Sequence, residues 1–331
     1  MSASRALLRA CAVLVAGAGG AAGAEWPAPV IDVHLHALPA GGGGALGDHV
    51  CSDTVDFPAA VMPPAKQGSV DGLLACASPM VGPATDEELM RRSLELLRTH
   101  NVWAVTSGPP ERVAAWKAAG GERIIVGGWL GSLAEARKSI ERGELKVLGE
   151  LGFQYRGLAP TDPEPMEWFA LAESTDTPIG VHVGPGPPGA PFVASPNYRA
   201  RLSSPLLYEE VLVKHPKLRL YLMHAGWPML DDTVNMLYAY PQLYVDTGVI
   251  DWAIPEREFY RYLQRLVEAG FGKRILFGSD EMGWPDAIVA AIRRIQAAPF
   301  LSAAQKRDIL YENAARFLRL TDEDRRRHLA P

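Results

Sequence analysis

Val30-Ile31-Asp32-Val33-His34-Leu35-His36 is the stretch on which the reading of this chain turns. An apolar run ends in two imidazoles one residue apart, which reads as a buried strand finishing in two histidines. Strand side chains alternate with period two, so both rings project from one face. Two neutral imidazoles at a strand end suit a borderline divalent ion such as zinc. Taken alone, they equally suit two ordinary core histidines. The metal reading gains weight further along, where three more strand-like runs end in His, His and Asp.

Upstream, residues 1–24 carry Arg5 and Arg9, then the apolar stretch Ala10-Cys11-Ala12-Val13-Leu14-Val15-Ala16, and finish in Ala22-Gly23-Ala24. A basic start, a short apolar middle and a small-residue end make a secretory signal peptide cut near Ala24. The apolar part is too short for a spanning helix. Arg9 speaks against lipid attachment at Cys11; an uncleaved N-terminal anchor is the other reading. The expectation is therefore an exported, periplasmic or secreted protein, with residues 25–331 as one domain and no membrane span in the mature chain. Loss of Arg5 and Arg9 takes the formal charge from −5 to −7. An acidic chain with no basic run offers no footing for nucleic acid or anionic lipid. A small-molecule substrate is the expected partner, with self-association into a homo-oligomer left open. Cys51 and Cys76 remain after cleavage; in an exported chain they are expected to form a disulfide, the alternative being two buried thiols.

Downstream, short apolar strands alternate with amphipathic helices. Strands are expected at 30–36, 102–106, 123–130, 146–155, 178–184, 218–225, 243–249 and 274–279, and helices at 88–100, 110–119, 133–142, 165–175, 205–215, 231–240, 256–269, 286–297 and 302–320. A Gly- and Pro-rich insertion, 37–87, follows the first strand. Eight strand–helix units imply an α/β protein, a distorted (β/α)8 TIM barrel; a doubly wound open sheet is the alternative.

In a barrel the functional groups gather at the C-terminal strand ends. Strand one ends in His34 and His36, strand four in Glu150, strand five in His182, strand six in His224 and strand eight in Asp280. Charged and imidazole groups closing apolar strands are costly unless paired or coordinated. One such histidine is ordinary; four, with two acids, on five strands are a site.

The His34-x-His36 opening, the His182 and His224 strands, the Gly278-Ser279-Asp280 strand and the ending Tyr311-Glu312-Asn313-Ala314-Ala315-Arg316-Phe317-Leu318 resemble the amidohydrolase superfamily. Within it, the chain is most similar to the amidohydrolase-related group that includes aminocarboxymuconate semialdehyde decarboxylase and pyrone dicarboxylate lactonase. The resemblance covers roughly 30–320. It implies a distorted barrel with zinc or a similar divalent ion held by His34, His36, His182 and Asp280, and His224 as a further ligand or a catalytic group. Glu150 departs from the decarboxylase branch, which generally has no ligand on strand four. Binuclear hydrolases carry a bridging carboxylate there, so Glu150 admits a second ion and tilts the reading toward hydrolysis. Its plainer reading is a salt-bridge partner for Arg156 or an outer acceptor.

A divalent ion brings the pKa of water toward neutrality and polarises a carbonyl. Asp280 then takes the proton and passes it to the leaving group, and His224 steadies the developing oxyanion. The expected activity is metal-dependent hydrolysis of a C–O or C–N bond, in an ester, lactone or amide. Non-oxidative decarboxylation of an unsaturated or aromatic acid is the alternative enzyme reading, and a metal-containing binding protein without turnover is the reading of another class. Trp227, Trp252 and Trp284 follow strand ends, as an aromatic wall or as loop packing. Gly184-Pro185-Gly186-Pro187-Pro188-Gly189 spells a dinucleotide pattern, but three prolines lack the amide donors a phosphate needs. It reads as a stiff loop over the pocket, with no helix opening there and Arg199 or Arg201 nearby as carboxylate binders or solvated charges. His100 and His215 close helices, His328 reads as part of a solvated charged tail, and His49 sits in the long first loop.

Overall fold

The run that ends in His34 and His36 is a strand, β1 (Val30–His36), and all seven of its residues are buried. The structure is a computed structural model and describes residues 28–41, 49–63, 76, 79–128 and 131–330. The expected signal peptide, 1–24, lies outside the described residues. Within the insertion after β1, β2 (His49–Cys51) and β3 (Pro79–Val81) pair as an antiparallel hairpin. Cys51 and Cys76 are joined by a disulfide at a Cα–Cα distance of 5.5 Å. The segment after β2 hydrogen-bonds the loop after β9, through Asp53 N–H to Trp252 O (2.7 Å) and Thr54 N–H to Ala253 O (2.9 Å).

Seven further strands follow: β4 (Val102–Ser107), β5 (Ile124–Gly128), β6 (Val147–Leu151), β7 (Ile179–His182), β8 (Leu220–Met223), β9 (Tyr244–Asp246) and β10 (Ile275–Leu276). With β1 they form one eight-stranded parallel sheet in the order β1-β4-β5-β6-β7-β8-β9-β10. The segment after β10 returns to β1 through Val33 N–H to Phe277 O (2.9 Å) and His36 N–H to Glu281 O (3.0 Å), so the sheet is a nearly closed barrel. Asp32 is the strut of this closure. Its carboxylate accepts the backbone N–H of His34 (2.9 Å) and of Ser279 (3.0 Å), and the Ser279 hydroxyl (2.5 Å).

Helices cover the outside for local reasons. Asp86–Thr99 starts at Thr85, whose hydroxyl accepts the Glu88 N–H (3.2 Å), and opens with Asp86, Glu87 and Glu88 at the positive end of its dipole. Its buried residues Leu89, Ser93 and Leu97 recur every four positions, the spacing of one helix face. Each buried leucine contributes roughly 1.5–3 kcal/mol. Some boundaries differ from expectation. β6 stops at Leu151, and a 3-10 turn, Phe153–Arg156, follows. The expected helix 302–320 is broken into Ala303–Arg307 and Asn313–Phe317 around a wide turn at Asp308–Glu312.

The charged tail is solvated except at His328. Residues Asp322–Leu329 form a capped helix, and His328 is buried, its ring stacked on Trp103 at 3.8 Å and its Nδ1 3.2 Å from the Tyr311 hydroxyl. Burial, with the nearby Arg327, Arg123 and Arg325 charges, pushes the His328 imidazole down to about 4. The folded state therefore resists a proton that the unfolded chain takes up near pH 6.5. The docked helix is expected to hold above that value and to loosen as pH falls toward 4, read as faster amide exchange in 322–329. Among the described residues, no helix is long and apolar enough to cross a membrane.

Candidate metal centre

The six polar residues that end the apolar strands meet at one mouth of the barrel. From β1, the His34 and His36 Nε2 atoms lie 3.2 Å apart. Asp280 Oδ1 is 3.3 Å from the first and 3.0 Å from the second, and Glu150 Oε2 is 3.5 Å and 3.4 Å from them. The other Glu150 oxygen, Oε1, faces a different pair: it contacts His182 Nδ1 and lies 3.4 Å from His224 Nε2, and these two nitrogens are 3.0 Å apart. The six residues thus fall into two groups, His34/His36/Glu150/Asp280 and Glu150/His182/His224, each with ligand atoms within 4.8 Å and with Glu150 in both; Asp246 makes a third such group with His34 and His224.

These distances fit an ion. Donors around a tetrahedral zinc with bonds of about 2.0–2.1 Å stand roughly 3.3 Å from one another. Buried Asp280 Oδ1 touches two imidazole nitrogens yet has no hydrogen-bond partner among the described residues. An oxygen so placed has its lone pairs turned to a shared centre. The outward nitrogens are each held: His36 Nδ1 by the Ser107 hydroxyl (3.2 Å), His182 Nε2 by the Tyr155 hydroxyl (3.3 Å), His224 Nδ1 by Gly248 O (2.9 Å) and His34 Nδ1 by Asp246 Oδ2 (3.0 Å). Such partners choose the tautomer that turns the other nitrogen toward an ion.

The backbone bends to bring the groups in. His224 and Asp280 have φ of 58° and 51°, the left-handed region that non-glycine residues occupy at a cost of about 1–3 kcal/mol. Strain of this kind, at two separate strand ends, redirects both side chains across the mouth. Burial opposes every charge here, and the cluster overcomes it by pairing. Burial pulls the His34 imidazolium down, but the Asp280 and Asp246 carboxylates outweigh it and hold it well above its usual value; His36 is pushed up to about 9 in the same way by Asp280 and Glu150. Burial raises Glu150, yet the surrounding imidazoles hold it well below the usual carboxylate range. His182 is lowered, by burial and by the neighbouring His224. An arriving ion displaces the imidazole protons.

Other expectations resolve differently. Arg156 pairs with Glu164 and not with Glu150. Trp252 and Trp284 are buried, the former donating to Ser279 O (2.6 Å), so they pack beneath the loops and form no wall; Trp227 is half-buried. Arg199 donates to the carbonyls of Pro196 and Tyr198, and Arg201 is exposed, so neither belongs to the cluster. A one-turn helix, Ala190–Val193, does open after Gly189. The glycines ahead of it answer to packing: a Cβ on Gly186 would stand 2.8 Å from the Tyr155 ring and one on Gly184, at φ 117°, 2.6 Å from Trp227 O. His49 is exposed on β2, and His215 pairs with Glu173 (2.9 Å). Sequence reading passed over Asp32, Asp246 and Tyr155. The two aspartates carried a usable signal, an acid inside an apolar strand.

The fold has known likenesses. An uncharacterized TIM-barrel protein from Bordetella bronchiseptica is similar at a TM-score of 0.56 and 17% identity, over 72% of this chain and 86% of that one. A probable 2-pyrone-4,6-dicarboxylic acid hydrolase from Acinetobacter baumannii, with citric acid bound, is similar at 0.53 and 13%, over 88% and 99%. The 5-carboxyvanillate decarboxylase of Sphingomonas paucimobilis is similar at 0.52 and 15%, over 89% and 100%. No curated protein matches in sequence. Residues 31–320, from the strand that supplies His34 and His36 to the helical turns beyond Asp280, match the amidohydrolase sequence profile, and the chain belongs to the amidohydrolase family.

Proposed function

We propose that this chain is a metal-dependent hydrolase that holds two divalent ions, zinc in the first instance, and cleaves a C–O or C–N bond of a small carbonyl compound. One observation carries the reading: the two oxygens of Glu150 face two different pairs of imidazoles. A carboxylate so placed offsets repulsion between two cations. His34, His36, Glu150 and Asp280 would hold one ion, and Glu150, His182 and His224 the other. Bound there, the ions supply Lewis acidity, bringing the pKa of water toward neutrality and polarising a carbonyl oxygen. Asp280 is the base: it accepts the proton of the attacking water and returns it to the leaving oxygen or nitrogen. His224 has its Nδ1–H committed to Gly248 O, which turns Nε2 into the second group as a ligand and leaves it no free proton for an oxyanion.

Metal analysis of purified protein, with a panel of esters, lactones, amides and unsaturated or aromatic carboxylic acids, tests the proposal. About two ions per chain and hydrolysis are expected. One ion with release of carbon dioxide would favour decarboxylation, and full loading without turnover would favour a binding protein. Export is part of the same reading. It is supported by the Cys51–Cys76 disulfide, which persists in oxidising compartments. An intact mass that begins at Glu25 is the expected result; a mass that includes 1–24 would refute cleavage.

A further inference from the structure

The four imidazoles of the centre are not held alike. Three have neutral partners on the outward nitrogen: the Ser107 hydroxyl, the Tyr155 hydroxyl and the Gly248 carbonyl. Only His34 hydrogen-bonds a carboxylate there, with Nδ1 3.0 Å from Asp246 Oδ2 and both side chains fully buried, whereas Asp280 Oδ2 stands off at 3.8 Å from His224 Nδ1. The other Asp246 oxygen accepts the backbone N–H of His224 (2.8 Å) and of Gly248 (2.9 Å). A carboxylate only accepts, which keeps a proton on His34 Nδ1, so the proton an arriving ion displaces is that of Nε2, the nitrogen turned toward Asp280, Glu150 and His36. The pair has no room to turn. A Cβ on Gly248 would stand 2.6 Å from His34 Nδ1 and 3.3 Å from Asp246 Oδ1, and one on Gly278 would stand 2.7 Å from His34 Cβ and 3.3 Å from Asp246 Oδ2. Two glycines thus form the walls of a slot cut for this one contact.

We propose that Asp246 is a positioning residue that makes the His34 group the tighter of two metal subsites, so that ions load in order, first at His34/His36/Glu150/Asp280 and then at Glu150/His182/His224. The inference rests on the two-ion reading of the centre. Two features point the same way. The first subsite offers four protein donors and the second three, which leaves the second an open position of the kind substrates and water use. An anion behind His34 also makes its Nε2 a stronger donor than an imidazole backed by a neutral group, and loss of such a partner typically weakens metal binding about 10–100-fold. Asp246 reaches the second subsite through backbone, by the His224 amide and by the Gly248 amide whose carbonyl holds His224 Nδ1, and hydrogen-bonds none of its donor nitrogens.

Asp246→Asn isolates the effect. The amide oxygen still accepts the two backbone N–H groups, while the NH2 group turned toward His34 Nδ1 drives the ring proton to Nε2, the nitrogen an ion needs. Metal-free wild type and variant are titrated with Zn2+ alone against a chelator. Two separated steps are expected for wild type, and in the variant the first step weakens about 10–100-fold. Ser107→Ala, which removes a neutral partner from His36, is expected to shift the first step less. Equal affinities for the two ions in wild type, an unchanged first step in Asp246→Asn, or an equal shift in Ser107→Ala would each overturn the inference. A single ion in wild type would refute two-ion hydrolysis and the loading order with it, while the variant's effect on that one ion would still decide the role of Asp246. Should Asp246→Asn fail to fold, 15N NMR of zinc-loaded wild type decides: a protonated His34 Nδ1 is expected, and a bare one overturns the proposal.

Discussion

Asp280→Asn is expected to keep most of the bound metal and to lose turnover by ~10²–10⁴-fold, the usual worth of a positioned base. The side chain is nearly isosteric, and its remaining oxygen can still face His34 and His36, now 3.3 Å and 3.0 Å from Oδ1. What disappears is the capacity to take a proton. Glu150, Asp246 and Asp32 are not placed to substitute. Glu150 has both oxygens engaged by imidazoles, and Asp246 and Asp32 accept backbone and side-chain N–H or O–H groups away from the mouth. Metal content and turnover measured on the same preparation separate ligand from base. Near-normal turnover would show that another group carries the proton, and parallel loss of metal and rate would make Asp280 chiefly a ligand.

Glu150→Ala has the second large effect, and it separates the two enzyme readings. Bound metal is expected to fall from two ions toward one, and hydrolysis to fall far more than the stability of the fold does. The stability expectation follows from the contacts. The Glu150 carboxylate touches only the four imidazoles, which stand on β1, on β7 and in the turn after β8, so its loss loosens the mouth of the barrel and leaves the apolar core untouched. Removing it leaves imidazoles buried beside one carboxylate fewer, which is destabilising in the metal-free chain, and a bound ion takes over that role in the loaded protein. If wild type holds one ion and the variant keeps both its metal and its rate, Glu150 is structural. The mononuclear, decarboxylase-like reading then leads, with Asp280 and His224 as its acid–base pair.

The alternation that predicted β1 also predicted that His34 and His36 share a face, and their Nε2 atoms lie 3.2 Å apart. The same local logic found β4, β5, β7 and β8 and placed Glu150, His182, His224 and Asp280 at strand ends. Where local logic stopped, the errors have a common cause. His328 looks solvated because its neighbours in sequence are charged, but Trp103, more than two hundred residues earlier, supplies the surface that buries it. Trp252 and Trp284 were legible as aromatic residues after strand ends, and only the fold shows that both are buried, their ring centroids 6.4 Å apart.

By itself, then, the sequence determined the barrel, the family and the candidate donors, because hydrophobic period and the polar residue that ends an apolar run are properties of a few neighbouring residues. Tertiary structure alone decided how the donors are shared. The division of Glu150 between two imidazole pairs depends on strands that meet only when the sheet curls. So does the seat of His34 on Asp246, 212 positions away, and of Asp32 on Ser279, 247 positions away. Pairings at such separation leave no periodic trace in the chain, since they are selected by the geometry of closure and by the cost of burying a charge without a partner.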